Sequence, residues 1–426
     1  MTGGTAARTA SSQFPVSPTT RRGRTGRTVV TGLGIVAPNG LGTRAYWDAV
    51  LNGRNGIGPL RRFAGDGRLG RLAGTVDGFV PEDHLPKRLL AQTDPMTRYA
   101  LAAADWALRE ARFSPSSALD AGVITASASG GFDFGQRELQ NLWSKGPAHV
   151  SAYMSFAWFY AVNTGQIAIR HDLRGPVGVV VAEQAGGIDA LAHARRKVRG
   201  GAELIVSGAV DSSLCPYGMA AQVKSGRLSD SDDPAAGYLP FDRRAAGHVP
   251  GEGGAILTVE DAERAAARGA AVYGEIAGYG ASFDPPPGSG RPCALARAVE
   301  TALADAGLDA SDVAVVFADG AAVPELDAAE AEALASVFGP RRVPVTVPKT
   351  LTGRLYSGAG PLDVATALLA LRDEVVPATA HVDPDPDLPL DVVTGRPRPL
   401  AGGGAALVVA RGHGGFNSAL VVRRAA

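Results

Sequence analysis

Two cysteines, Cys215 and Cys293, are all that 426 residues contain, and they stand far apart. That excludes a disulfide framework, and their surroundings lack the spacing of a zinc site. A reducing cytosol is the compartment such cysteine usage implies. An excess of charge of either sign is also missing. Forty-two Lys and Arg balance 42 Asp and Glu, so the overall balance gives no reason to expect nucleic acid or an anionic membrane as partner. No apolar run approaches the ~18 residues of a membrane span. Arg21 and Arg22 could head an export signal, but the stretch that follows is interrupted by glycines and reads as a first strand. Residues 1–27, rich in Thr, Ser, Gly and Arg, are expected to form a disordered arm. With 45% hydrophobic residues, the remainder can bury a large core, and two of similar size are expected.

The informative stretch is 177–199, VGVVVAEQAGGIDALAHARRKVR. Residues 177–182 form a β-branched apolar run that predicts a strand buried on both faces. Residues 188–199 place Ile188, Leu191, Ala194 and Val198 on one helical stripe, leaving His193, Arg196 and Lys197 on a solvated face. Between strand and helix lies a tight corner of small residues. This is the layout of a nucleophile elbow, which presents one side chain at a helix N-terminus. The residue presented is Gln184, and a primary amide is no nucleophile at neutral pH. This is an elbow without a nucleophile.

Elsewhere apolar strands alternate with amphipathic helices, which indicates α/β architecture. Strands are expected at 28–37, 121–127, 202–210, 255–259, 273–279, 313–318, 343–347, 405–410 and 417–422. The pattern restarts near residue 270, so the chain divides into halves at 28–270 and 271–426, with an internal duplication expected. Gly32 and Gly34 lack the third glycine and the acid of a dinucleotide fingerprint. Residues 132–143 predict a helix with Phe132, Gly135 and Leu139 on one face, continued by Leu142 and Trp143. Periodicity alone makes that face core. His248 sits in a glycine-rich turn and reads as structural, while His171 and His193, flanking the elbow strand and helix, read as solvated or satisfied rather than as ligands. Neither Cys215 nor Cys293 has a neighbouring histidine to activate it.

Five motifs follow in order: VVTGLGIVAPNG at 29–40, RGP at 174–176, FDRRAAGHVPGEGGA at 241–255, KTLTGRLYSGAG at 349–360 and GHGGFNSA at 412–419. From about Arg27 onward, the chain resembles the β-ketoacyl synthases of the thiolase-like superfamily. The resemblance implies two duplicated βαβ-type halves in a five-layer αβαβα arrangement. Condensation in that family needs an elbow cysteine to carry the acyl chain and two histidines to assist decarboxylation. Here those positions are Gln184, Asp319 and Arg354. The gate aromatic is His413, while Lys349 and the acids Asp327 and Glu330 match.

With VVAEQAGGIDALAHARR at the elbow, this combination is similar to the chain-length factor, the beta subunit of type II polyketide ketosynthases. The resemblance implies a subunit of an acyltransferase complex that pairs with a catalytic ketosynthase alpha subunit through the strand bearing Val177, Val179 and Val181. Phe132, Gly135 and Leu139 would line the channel for the growing chain, and a glycine and a leucine there suggest a longer polyketide. No cofactor or metal is expected on this chain. The phosphopantetheine arm of an acyl carrier protein would reach the partner. Gln184 is expected to fill the vacated pocket and hydrogen-bond locally. The alternative implied by a Gln elbow is a malonyl decarboxylase that supplies an acetyl starter.

Overall fold

The computed structural model describes residues 26–63, 69–115, 118–286 and 288–425. Apart from Gly26 and Arg27, the expected N-terminal arm lies outside the described residues. Among the described residues, twelve strands build one continuous mixed sheet, two of them the two-residue strands Gly40–Leu41 and Asp391–Val392. The other ten are β1 Thr28–Ala37, β2 Ala121–Ala126, β3 Val177–Val180, β4 Leu204–Asp211, β5 Gly253–Asp261, β6 Gly274–Phe283, β7 Val313–Phe317, β8 Pro344–Thr346, β9 Ala405–Gly412 and β10 Phe416–Arg423. Their order is β8-β7-β9-β10-β6-β1-β5-β4-β2-β3, with the two-residue strand Asp391–Val392 beyond β8. The first five strands run β1-β5-β4-β2-β3 and the last five β6-β10-β9-β7-β8. Both follow the same order, antiparallel for the first two pairings and parallel for the last two. The two sets meet where β1 pairs with β6 over only Val29–Glu275 and Val30–Gly274.

Helices cover and separate these strands. α1 (Pro95–Ala111) packs on β1 and β5. α2 is Phe132–Lys145 and α3 is Val162–Arg170. α4 (Gly186–Arg199) packs on β2 and β4. α5 (Leu295–Ala306) packs on β6 and β10 and borders α6 (Pro324–Phe338). α7 (Ala359–Asp373) touches β5 of one half, β9 of the other, and α4. Every residue from Ala359 to Leu371 is buried, Asp363 and Thr366 included, which suits a mostly apolar helix between two layers of strand. Among the described residues, no helix is long and apolar enough to cross a membrane.

Gly32 and Gly34 now have a physical reason. A Cβ on either would sit 2.1 Å and 1.8 Å from the carbonyl oxygens of Ala107 and Ala103, so their absence lets α1 press against β1.

Two expectations need correction. β3 is not buried on both faces. Among the described residues it is the last strand of the sheet, paired only with β2, and Val177, Val179 and Val181 are 60%, 38% and 50% exposed. A valine run reads alike whether a helix or another chain covers it. The basic stretch after His193 is also not wholly solvated. Arg195 is buried, its Nη1 2.5 Å from Asp305 Oδ2 and its Nη2 donating to the Ala277 carbonyl, which ties the halves together. Ile188, Leu191, Ala194 and Val198 do form the buried stripe, while Arg196 and Lys197 are exposed. Periodicity missed α3, which carries Gly165, and the short helix Pro216–Lys224, whose N-cap is the Cys215 sulfur accepting from Gly218 N.

Candidate functional site

Beyond β3 the chain turns through Glu183, whose φ of 49° lies in the left-handed region, and enters α4 at Gly186. Gly187 has no room for a side chain, since a Cβ there would meet Ser357 O at 2.1 Å. This close packing presses the elbow against the start of α7 and sends Gln184 into the interior, 1% exposed.

Three of the expected site residues, distant in sequence, converge there. Gln184 Nε2 donates to Asp319 Oδ1 at 2.5 Å. Arg354 Nη1 donates to Asp319 Oδ2 at 3.0 Å, Arg354 Nη2 lies 3.3 Å from Oδ1, and the Arg411 amide also donates to Oδ1. Arg354 Nη2 closes the network on the Arg411 carbonyl at 2.8 Å. The three residues expected from the sequence at the nucleophile and histidine positions are thus bonded to one another. Asp319, at the end of β7, is fully buried, which alone would raise its carboxyl. Arg354, then Lys349, outweighs that burial and holds it below its ordinary value.

Lys349, Glu330 and Asp327 hold this arrangement from behind. Lys349 Nζ lies 2.6 Å from both the Ala318 carbonyl and Asp363 Oδ2. Glu330 accepts from the Asp319 and Gly320 amides, and Asp327 from the Phe241 amide. Burial pushes both acids up to about 7, with the Asp319 charge adding to the effect on Glu330. His413 is exposed, and its amide donates to Glu183 Oε2 at 2.8 Å.

A cavity of about 800 Å³ opens over this network, lined by Phe132, Glu183, His248, Asp319, Arg354 and His413 among others. Among the described residues, neither His248 nor either cysteine is an activated nucleophile. Burial, followed by Arg354, drives His248 down to about 3, so its imidazole is neutral. Cys293 borders the cavity, but burial raises its thiol. Burial also pushes Cys215 up to about 11. Both sulfurs stay protonated at neutral pH. Among the described residues, no cluster of His, Cys, Asp and Glu could hold a metal. Gln184→Cys alone is expected to gain no acyl adduct when incubated with an acyl thioester, measured by intact mass. The new thiol would face the Asp319 carboxylate, which opposes its ionisation.

The remaining expected site residues separate. Phe132 lines the cavity and packs on Tyr217, ring centroids 5.0 Å apart. Gly135 is buried, and a Cβ there would lie 3.5 Å from Trp158 Cβ. Leu139 and Trp143 face outward, 41% and 84% exposed, so the stripe read as core is not core. The buried side of α2 is Phe134, Gly135 and Glu138. Tyr153, Trp158 and Phe159 are likewise exposed. Sequence reading missed these aromatics, which obey no helical period, and missed Arg411, whose backbone completes the network.

The profile of the β-ketoacyl synthase N-terminal domain matches residues 26–265, and that of its C-terminal domain residues 273–383. The chain belongs to the β-ketoacyl synthase family. It is 58% identical over 401 residues to the tetracenomycin polyketide synthase ketoacyl synthase beta subunit of Streptomyces glaucescens, covering 93% of this chain and 98% of that one. Among solved structures, the ishigamide ketosynthase/chain length factor superposes with a TM-score of 0.83 at 27% identity, covering 94% of this chain and all of that one. A type II polyketide synthase carrier protein in complex with its ketosynthase, bound to the hexaketide, gives the same TM-score, identity and coverage. The thiolase-like α/β fold expected from the motifs is the fold these ketosynthases share.

Proposed function

We propose that this chain is the non-catalytic, chain-length-determining subunit of a type II polyketide β-ketoacyl synthase heterodimer, working in the cytoplasm. The observation that carries the reading is the Gln184–Asp319–Arg354 interlock, which fills the three positions where condensation needs a thiolate and two donors. Condensation then belongs to a catalytic ketosynthase alpha subunit, and the phosphopantetheine arm of the acyl carrier protein delivers malonyl units there. This chain supplies walls for the poly-β-ketone. Support comes from the outward valines of β3 and the exposed aromatics Trp143, Tyr153, Trp158 and Phe159, large apolar side chains that this chain leaves uncovered. The decarboxylase alternative is weaker. Its amide would have to serve malonate, whereas the Gln184 N–H here is committed to Asp319 and its Oε1 is buried.

The test is the open position on α2. In a synthase reconstituted with its ketosynthase and carrier protein, Gly135→Thr with Leu139→Phe is expected to shorten the main polyketide, read by product mass. The added atoms at position 135 would occupy space beside Trp158. An unchanged product length would overturn the assignment.

A further inference from the structure

We infer that Asp94 is a positioning residue for α2, the helix proposed to set product length, and that its carboxylate fixes where that helix begins. Asp94 is 0% exposed and makes no ion pair among the described residues. Its Oδ1 accepts from the Met96 amide at 2.9 Å, capping α1. Its Oδ2 accepts from the Phe134 amide at 2.9 Å, in the first turn of α2. One side chain therefore caps two helices that begin 37 residues apart (Pro95 and Phe132). A single carboxylate suits this task because both oxygens accept and both helix ends present unsatisfied N–H groups and partial positive charge.

α2 has no cap of its own. The residue before it is Gly131, which supplies no side-chain acceptor. Gly131 is also where three segments meet. A Cβ on it would lie 2.2 Å from the Ala157 carbonyl and 3.0 Å from Asp94 Cβ, while its amide donates to the Trp158 carbonyl at 3.1 Å. Trp158 is the residue that faces the space beside Gly135. The first turn of α2, the Trp158 segment and the start of α1 are thus clamped at one point, and that point frames both Phe132 on the cavity wall and the opening at Gly135. The nearest cation in sequence, Arg98, spends its guanidinium on the Leu90 and Thr93 carbonyls and the Thr93 hydroxyl. The clamp is amide to carboxylate on both sides.

The inference rests on the proposed length-setting role of α2, and its test separates the two. Asp94→Ser keeps a good cap for α1, but one short hydroxyl cannot also serve Phe134. In the reconstituted heterodimer it is expected to broaden or shift the product-size distribution. Amide exchange in the first turn of α2 should rise about tenfold or more while α1 stays protected. Asp94→Asn, which keeps one acceptor oxygen and opposes the other amide with N–H, is expected to act in the same direction. A wild-type product distribution from an assembled Asp94→Ser heterodimer would overturn the inference. So would failure of both variants to assemble, since Asp94 would then be a folding residue. If Gly135→Thr with Leu139→Phe changes the product and Asp94→Ser does not, only the positioning role fails. If neither does, the length-setting role falls first.

Discussion

Arg354→Met is expected to destabilise the purified heterodimer by about 3–5 kcal/mol, read from its denaturant midpoint, although Arg354 takes part in no proposed chemical step. The substitution removes the guanidinium that faces Asp319 and leaves a buried carboxylate short of its principal counter-charge. Lys349 cannot take over, because its ammonium is already held by Asp363 and the Ala318 carbonyl. Adding Asp319→Asn to Arg354→Met is expected to recover most of the loss. The neutral amide still offers an oxygen to Gln184 and to the Arg411 N–H, and no unpaired charge remains. The cycle therefore measures the interlock itself. A single-variant loss below about 1 kcal/mol would mean that the pair is solvated and the centre still open to ligand.

The interlock also marks where sequence reading stopped. The motifs set Gln184, Asp319 and Arg354 at the positions where the resemblance implies reactive residues, and on that reading the site is chemically empty. The motifs could not show that the replacements answer one another, because the three lie on the elbow turn, the end of β7 and the loop before α7. Only the fold brings them within a hydrogen bond. The strands were legible because buried apolar runs bounded by glycine have few other readings. β1 runs over the ten residues expected of it, and the α4 stripe is the buried one. What the runs do not encode is what covers them. The valines of β3 and the Leu139–Trp143 edge of α2 look apolar enough for a core, yet this chain leaves them outside. Asp94 was invisible for a related reason. Its sequence signature, Asp before Pro95 and a helix, announces one cap and gives no sign of the second.

Val179→Pro is expected to abolish the heterodimer while leaving this chain folded. The carbonyls of Pro176 and Val180 accept from the Val123 and Ser127 amides of the neighbouring strand segment. Alternate residues of β3 therefore turn inward, and Val177 and Val179 present their N–H and C=O groups to the open side of the sheet. Proline at 179 deletes one outward donor and keeps the inward ladder to β2, a placement that edge strands tolerate. Val179→Ala is the control. It sheds apolar area but keeps the backbone donor, so it should weaken assembly without preventing it. If the partner meets β3 by adding a strand, size-exclusion chromatography of co-expressed subunits will separate the two variants: no complex with proline, a retained complex with alanine. A Val179→Pro chain that still elutes with its ketosynthase in full yield would rule out strand addition. The exposed aromatics of α2 and the Trp158 segment would then have to carry the contact.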